Sequence, residues 1–323
     1  MRLPPLLAVD GLTIGFNTEA GPLRVVEDVS FTIAKGETFG LVGESGCGKS
    51  VTAQTIMRLL PGPPSFIAAG RVLFDGEDLA ALPERQMQRV RGAGIGMVFQ
   101  EPMTSLNPTQ RIGTQIAEAL LLHQGMGAAA AKPRVIDVLT KVGIGNGERR
   151  MAQYPHELSG GLRQRVMIAM AIICGPKLLI ADEPTTALDV TIQAEIMALL
   201  QGLQQDLGLA ILLITHDLGV IADMCRTMAV MYAGRIVERG DAAQLFARPR
   251  HPYTAGLIAS SPAHARKGER LASIPGTVPP PGKRGAGCAF AGRCANVLER
   301  CRAENPPLAP LDGQAVACWN PVT

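Results

Sequence analysis

No apolar run in this sequence approaches the roughly 20 residues that a membrane-crossing helix needs. The longest, Val166 to Cys174, is stopped by Gly175, Pro176 and Lys177, so the chain is not expected to span a bilayer. A surplus of charge is missing too. The 323 residues carry 31 Lys and Arg against 28 Asp and Glu, a net of +3, which is too balanced for a chain whose main task is to neutralise a nucleic-acid backbone. Nor does the sequence open like a secretory leader: Met1-Arg2-Leu3-Pro4-Pro5-Leu6-Leu7-Ala8-Val9-Asp10 cuts a short apolar run with prolines and ends it with an acid. A cytoplasmic location is the expectation. In a reducing compartment the seven cysteines are expected to be metal ligands or inert core thiols rather than a disulfide framework. No tandem repeat and no long coiled-coil insertion is visible.

With 47% hydrophobic residues the chain can bury one large core or two smaller ones. Short apolar runs at Phe39 to Val42, Ile95 to Phe99, Leu178 to Ala181 and Ile211 to Ile214 read as buried strands, each followed by polar or glycine-containing residues. Between them lie helical patterns such as Thr191 to Leu207, with Ile192, Ile196, Leu199, Leu200 and Leu203 on one face. The alternation predicts an α/β fold with a largely parallel sheet. Residues 101–171 lack strand signals and read as an inserted helical subdomain. After Arg248 prolines become frequent, placing a boundary near residue 249.

Gly43-Glu44-Ser45-Gly46-Cys47-Gly48-Lys49-Ser50 fits G-x-x-x-x-G-K-S/T, directly after the Phe39 to Val42 strand and before the helical Val51 to Leu60. Glycines let the backbone curl so that its N–H groups and the next helix N-terminus cradle phosphates. Lys49 is expected to neutralise the β- and γ-phosphates of ATP, and Ser50 to ligate Mg2+. The strand Leu178 to Ala181 ends in Asp182 and Glu183. Asp182 is expected to hold Mg2+ through water, and Glu183 to polarise the water that attacks the γ-phosphate; on its own the pair also reads as a solvated acidic turn. Leu158-Ser159-Gly160-Gly161-Leu162-Arg163-Gln164-Arg165 opens the helical run Val166 to Cys174, where Ser159 and the Gly160 and Gly161 amides form a second phosphate-binding helix N-terminus. Ser159 could equally be the N-cap of an ordinary helix.

In this order the motifs closely resemble the ABC transporter ATPase family. The resemblance covers the phosphate loop, Gln100, the Ser159 segment, Asp182-Glu183, Ala187-Leu188-Asp189 and His216. It implies a P-loop NTPase (RecA-like) core with an antiparallel β subdomain and the inserted helical subdomain. It further implies that Ser159, Gly160 and Gly161 complete the nucleotide site of an opposite subunit. By position, Gln100 resembles the residue that senses Mg2+ and the attacking water, and His216 the switch histidine that contacts the γ-phosphate. Asp189 resembles a residue that reaches across the dimer, Phe16 one that stacks on adenine, and Val51 follows the loop as part of the nucleotide site. Leu162 departs from the commonest signature, which has Gln there.

Gln100 to Pro108, Arg163 to Ala171 and His251-Pro252-Tyr253-Thr254 are similar to the oligopeptide/dipeptide importer branch, so the resemblance spans essentially the whole chain. It implies ATP hydrolysis energising uptake of short peptides, with nickel or another small solute as the alternative. The implied partners are a second ATPase subunit, a paralogue rather than a copy, two transmembrane permeases and an extracytoplasmic peptide-binding protein, with this chain on the cytoplasmic face of the membrane. Residues 1–248 form the ATPase domain and 249–323 a C-terminal extension. Cys288-x5-Cys294-x6-Cys301-x16-Cys318 supplies four soft ligands in a segment too short to build much of a core, which suits a metal staple. Four thiolates suit zinc or a 4Fe–4S cluster; the spacing lacks the C-x2-C pairs typical of zinc, and the resemblance implies the cluster. A soluble ABC ATPase uncoupled from transport remains the more distant alternative, and an inactive partner subunit conflicts with the intact Glu183 and His216.

Overall fold

Runs of β-branched and aliphatic residues without polar alternation can settle only where both faces of a strand are covered. The computed structural model describes residues 4–101, 105–186, 188–261 and 273–323; of the motif residues above, Pro102, Met103, Thr104 and Ala187 lie outside them. Strands β1 (Leu7–Thr18) and β2 (Gly21–Ile33) form a hairpin, and β3 (Thr38–Val42) leads to helix α1 (Lys49–Ile56). Then come β4 (Ser65–Phe74), β5 (Glu77–Asp78), α2 (Glu84–Val90) and β6 (Ile95–Val98). Helices α3 (Ile112–Gln124), α4 (Ala128–Lys141), α5 (Gly147–Arg150) and α6 (Gly160–Ile172) precede β7 (Leu178–Asp182), α7 (Val190–Leu207) and β8 (Ala210–Thr215). The remainder is α8 (Leu218–Met224), β9 (Thr227–Tyr232), β10 (Arg235–Asp241), α9 (Ala242–Ala247), α10 (Pro252–Ala259), α11 (Glu299–Ala303), β11 (Ala309–Leu311) and β12 (Gln314–Val316). β3, β7 and β8 are buried along their whole length, as their continuous apolar runs require.

The chain divides into two compact units. The first comprises residues 1–34, 38–80 and 214–323. It holds an antiparallel sheet of order β2-β1-β4-β5, whose inner face buries Leu7, Val9, Leu12, Ile14, Val26, Val29, Phe31 and Ile33. It also holds strands in the order β11-β12-β10-β9-β3, with β3 parallel to β9 and the other pairs antiparallel. The C-terminal segment makes more core than its length suggests. Tyr232 of β9, Tyr253 of α10 and Phe290 pack with ring centroids 4.6, 5.2 and 5.4 Å apart, and the β11–β12 hairpin pairs with β10.

The second unit comprises residues 35–37 and 81–213. In it β6 runs parallel to β7, β8 lies on the other side of β7, and α3, α4 and α6 pack on one another. Ile112, Ile116 and Leu120 of α3, Val135 and Leu139 of α4, and Val166 and Ala169 of α6 are fully or almost fully buried, each set at the helical spacing that places it on one face. α6 begins at Gly160, well before the apolar run that marks it in the sequence, because the Ser159 hydroxyl accepts the Leu162 N–H at 3.4 Å and caps it.

Candidate nucleotide site

In the first unit β3 delivers the glycine-rich loop, and two glycines are obligatory there. A Cβ on Gly43 (φ 155°) would stand 2.2 Å from the Met231 carbonyl oxygen, and one on Gly48 (φ 107°) 2.9 Å from the Met231 side chain. Gly48 turns the chain straight into α1, so the helix starts at Lys49 rather than Val51. Lys49 is buried, and its Nζ donates to the carbonyls of Gly43 at 2.8 Å and Glu44 at 3.2 Å. Its ammonium is thus held over the loop, whose tip residues Ser45 and Gly46 are exposed. The Cys47 sulfur lies 3.8 Å from Lys49 Nζ; burial raises its pKa against the pull of that charge. Ser50 and Val51 sit in the first turn of α1, where backbone N–H groups lack helical acceptors.

Two residues distant in sequence also grip this loop. The Glu44 N–H donates to Tyr253 Oη at 2.9 Å, and Arg293 Nη1 donates to Glu44 Oε2 at 2.9 Å. Neither role was legible: Tyr253 marked only a branch motif, and nothing in the sequence singles out Arg293. His216 follows β8, exposed, at a cavity of about 420 Å3 lined also by Asp217, Leu218, Gly219, Leu257, Ser260 and Ser261. Phe16 is half-buried on β1, opposite Leu23 and Ser65.

In the second unit β7 ends in Asp182, 3% exposed, and Glu183. Glu183 has φ 45°, in the left-handed region that costs a non-glycine residue about 1–3 kcal/mol and recurs at functional sites. Gln100 Nε2 donates to Glu183 Oε2 at 3.2 Å and Thr186 Oγ1 to the same oxygen at 3.0 Å. The structure therefore joins Gln100 and Glu183 and adds Thr186, whose only sequence signal was a hydroxyl three residues past an acid in a proline-containing turn. Ser159 caps α6, and Asp189 caps α7 by accepting the Ile192 N–H at 3.0 Å; Ser159, Gly160 and Asp189 are exposed, and Gly161 is half-buried.

Cys288, Cys294, Cys301 and Cys318 line one small cavity with His251, Phe290 and Trp319. Burial raises the pKa of Cys288 and Cys294, and that of Cys318 to about 11. The Leu298 N–H points at Cys301 Sγ, 3.5 Å away, and the Asn320 N–H at Cys318 Sγ, 3.4 Å away. The donor chemistry suits a thiolate-held group, but among the described residues no three His, Cys, Asp or Glu side chains form a group that could hold a metal ion. Cys288, Cys294, Cys301 and Cys318 thus share one cavity.

Comparison with known proteins joins these observations to a lineage. The profile of ABC transporters matches residues 26–186, and that of the oligopeptide/dipeptide transporter C-terminal region matches residues 237–301. A putative peptide import ATP-binding protein of Brucella ovis is 52% identical, with 97% of this chain and 96% of the relative covered. The chain belongs to the ABC transporter family, in its oligopeptide/dipeptide branch. Among other ABC relatives, the oligopeptide transport ATP-binding protein OppD of Bacillus subtilis is 50% identical over 99% of this chain and 90% of its own. The dipeptide transport ATP-binding protein DppD of Escherichia coli is 49% identical over 98% and 97%. A solved dimeric ATP-binding cassette in a post-hydrolysis state bound to ADP and Pi superposes with a TM-score of 0.65 at 25% identity, covering 73% of this chain and 98% of that one. The P-loop ATPase fold expected from the motifs is thereby borne out. Among the described residues no helix is long and apolar enough to cross a membrane.

Proposed function

We propose that this chain is the ATP-hydrolysing subunit of an ABC importer and energises uptake of di- or oligopeptides. The observation that carries the reading is Lys49, buried and held over the carbonyls of a loop that only glycine at 43 and 48 can form. That loop offers amides and an ammonium to a triphosphate and little to any uncharged ligand. The names of the relatives supply the peptide.

In this reading Gly43, Glu44, Ser45, Gly46, Cys47, Gly48, Lys49, Ser50 and Val51 bind the phosphates, Phe16 faces the adenine, and His216 contacts the γ-phosphate. Ser50, Gln100 and Asp182 would hold Mg2+, which when bound would supply positive charge against the phosphate oxygens. Glu183, oriented by Gln100 and Thr186, draws the proton from the attacking water. Ser159, Gly160, Gly161 and Asp189 serve the nucleotide of a second ATPase subunit, a paralogue rather than a copy. Gln100 connects hydrolysis through the helical subdomain, residues 101–171, to two permeases supplied by an extracytoplasmic binding protein. The ATPase domain is 1–248 and the extension 249–323, and the chain sits at the cytoplasmic face of the inner membrane. Cys288, Cys294, Cys301 and Cys318 would hold a 4Fe–4S cluster, or else zinc, and iron and acid-labile sulfide assays on anaerobically purified protein decide it.

The test is ATP hydrolysis by the reconstituted complex with a panel of short peptides presented by the binding protein. Stimulation by peptides, lost in Lys49→Ala and reduced about 100-fold or more in Glu183→Gln, is expected. Hydrolysis that ignores every peptide retires the substrate; no hydrolysis by the wild-type complex retires the enzyme.

A further inference from the structure

We propose that Arg293 and Tyr253 are positioning residues for the phosphate loop, acting through Glu44. The inference rests on the reading of residues 43–51 as the ATP site. Glu44 is held at both its backbone and its side chain: its N–H goes to Tyr253 Oη and its carboxylate to Arg293 Nη1, each at 2.9 Å. A loop residue fixed at two points cannot rotate its peptide plane freely, and the peptides that follow it are those expected to meet phosphate.

The holders are themselves fixed. Tyr253 is fully buried, and burial keeps its phenol protonated far beyond neutral pH. The Arg293 side chain is 8% exposed, and each of its nitrogens is engaged. Nε donates to the Pro275 carbonyl at 2.7 Å, Nη2 to the Ile274 carbonyl at 3.2 Å, and Nη1 also reaches Tyr232 Oη at 3.4 Å. The guanidinium lies 5.8 Å from the Tyr232 ring and 6.0 Å from the Phe290 ring. The same rings pack on Tyr253, so both grips on Glu44 end in one aromatic cluster.

A loop with glycine at 43, 46 and 48 has unusual backbone freedom when unbound. Ordering it on binding costs affinity, and fixing it beforehand recovers that loss. A guanidinium–carboxylate pair with a mostly buried arginine keeps more of its strength than a surface pair, which solvent screens. Arg293 also lies between Cys288 and Cys294, so the segment carrying the clamp is bounded by two of the four cavity thiols.

The experiment uses the full-length chain and titrates a fluorescent ATP analogue with Mg2+, alongside melting temperatures without nucleotide. Arg293→Met and Glu44→Gln are each expected to raise the analogue Kd about tenfold, the size of one lost charge-assisted hydrogen bond. Tyr253→Phe, which keeps the ring and removes the acceptor, raises it roughly threefold. The Arg293→Met/Glu44→Gln double variant is expected to be no weaker than either single one, because one interaction is removed once. Arg293→Lys regains part of the loss, and the kcat of the two Arg293 variants at saturating ATP in the assembled complex stays within about twofold, as for an interaction made equally in ground and transition states. Wild-type affinity in Arg293→Met, additive losses in the double variant, or losses that merely track the fall in melting temperature overturn the proposal. Absence of binding by the wild-type protein strikes the ATP-site reading instead.

Discussion

Glu183 combines three features rarely found together by accident: a left-handed backbone at φ 45°, a place at the end of a buried strand, and one carboxylate oxygen taking hydrogen bonds from both Gln100 and Thr186. The strained backbone aims the side chain out of the turn, and the two donors restrict where it rests. Thr186→Val keeps the side-chain shape and removes one donor, leaving a base that wanders. Its kcat is expected to fall about tenfold with KM for ATP little changed, since a hydrogen bond to a charged group contributes roughly 1.5–3 kcal/mol. Steady-state hydrolysis by the assembled complex measures this, and a kcat within error of wild type removes Thr186 from the site. Lys49 and Glu183 stand out in the sequence because the chemistry proposed for them depends on spacing along one loop or strand. Thr186 does not, because what a hydroxyl bonds is set by how the turn folds.

Elements defined by apolar runs, β3, β6, β7 and β8, fall within one or two residues of their sequence-derived bounds. α6, begun by the Ser159 cap, starts six residues before the Val166 run that marks it, and α10 has no apolar run to bound it in the sequence. α10 opens with His251-Pro252-Tyr253: proline at the first helical position needs no N–H, and the His251 Nδ1 accepts the Tyr253 N–H at 3.0 Å. The chain entering it is anchored by buried Glu238, whose carboxylate takes the N–H groups of Arg250 at 2.6 Å and His251 at 3.0 Å. His251 is 1% exposed, and burial lowers its pKa to about 3 from an ordinary 6.5. Its neutral form is thus built into the fold. As pH falls below about 6.5 the unfolded chain binds this proton before the folded one, so stability drops toward pH 3 by up to about 1.4 kcal/mol per pH unit; above 6.5 the contribution is nil. Glu238, whose pKa burial raises, works in the opposite sense, stabilising the fold as it protonates. The difference between wild type and His251→Asn, which keeps an acceptor without a titrating ring, isolates the histidine. Denaturant melts between pH 7.5 and 4.5 are expected to show a shallower loss for the variant, and parallel curves would mean that the ring charges freely in the fold.

At the scale of the molecule, the chain carries one phosphate loop and one Ser159 segment, and these lie in different compact units. The Ser159–Gly160 N-terminus is exposed, as is the start of α7, where Asp189 precedes Val190, an aliphatic residue 84% exposed. An isolated exposed aliphatic side chain is unremarkable; beside a helix N-terminus expected to meet a phosphate, it suits a surface covered only when a second subunit arrives. On the proposed reading, such closure is expected to need the nucleotide intact, because the triphosphate would supply the charge that two helix N-termini and Lys49 of one subunit share. With Glu183 as the proposed base, Glu183→Gln is expected to slow loss of the γ-phosphate and so prolong the closed state. With its partner ATPase and permeases, the variant is expected to give a strong ATP-dependent cross-link between cysteines placed at position 159 of one subunit and at the loop tip of the other, in a background where native thiols are blocked. ADP should not support it, and Lys49→Ala in the same background should abolish it. A cross-link yield indifferent to nucleotide would mean that the two faces do not meet around ATP, and hydrolysis would then have to be coupled to transport within a single subunit.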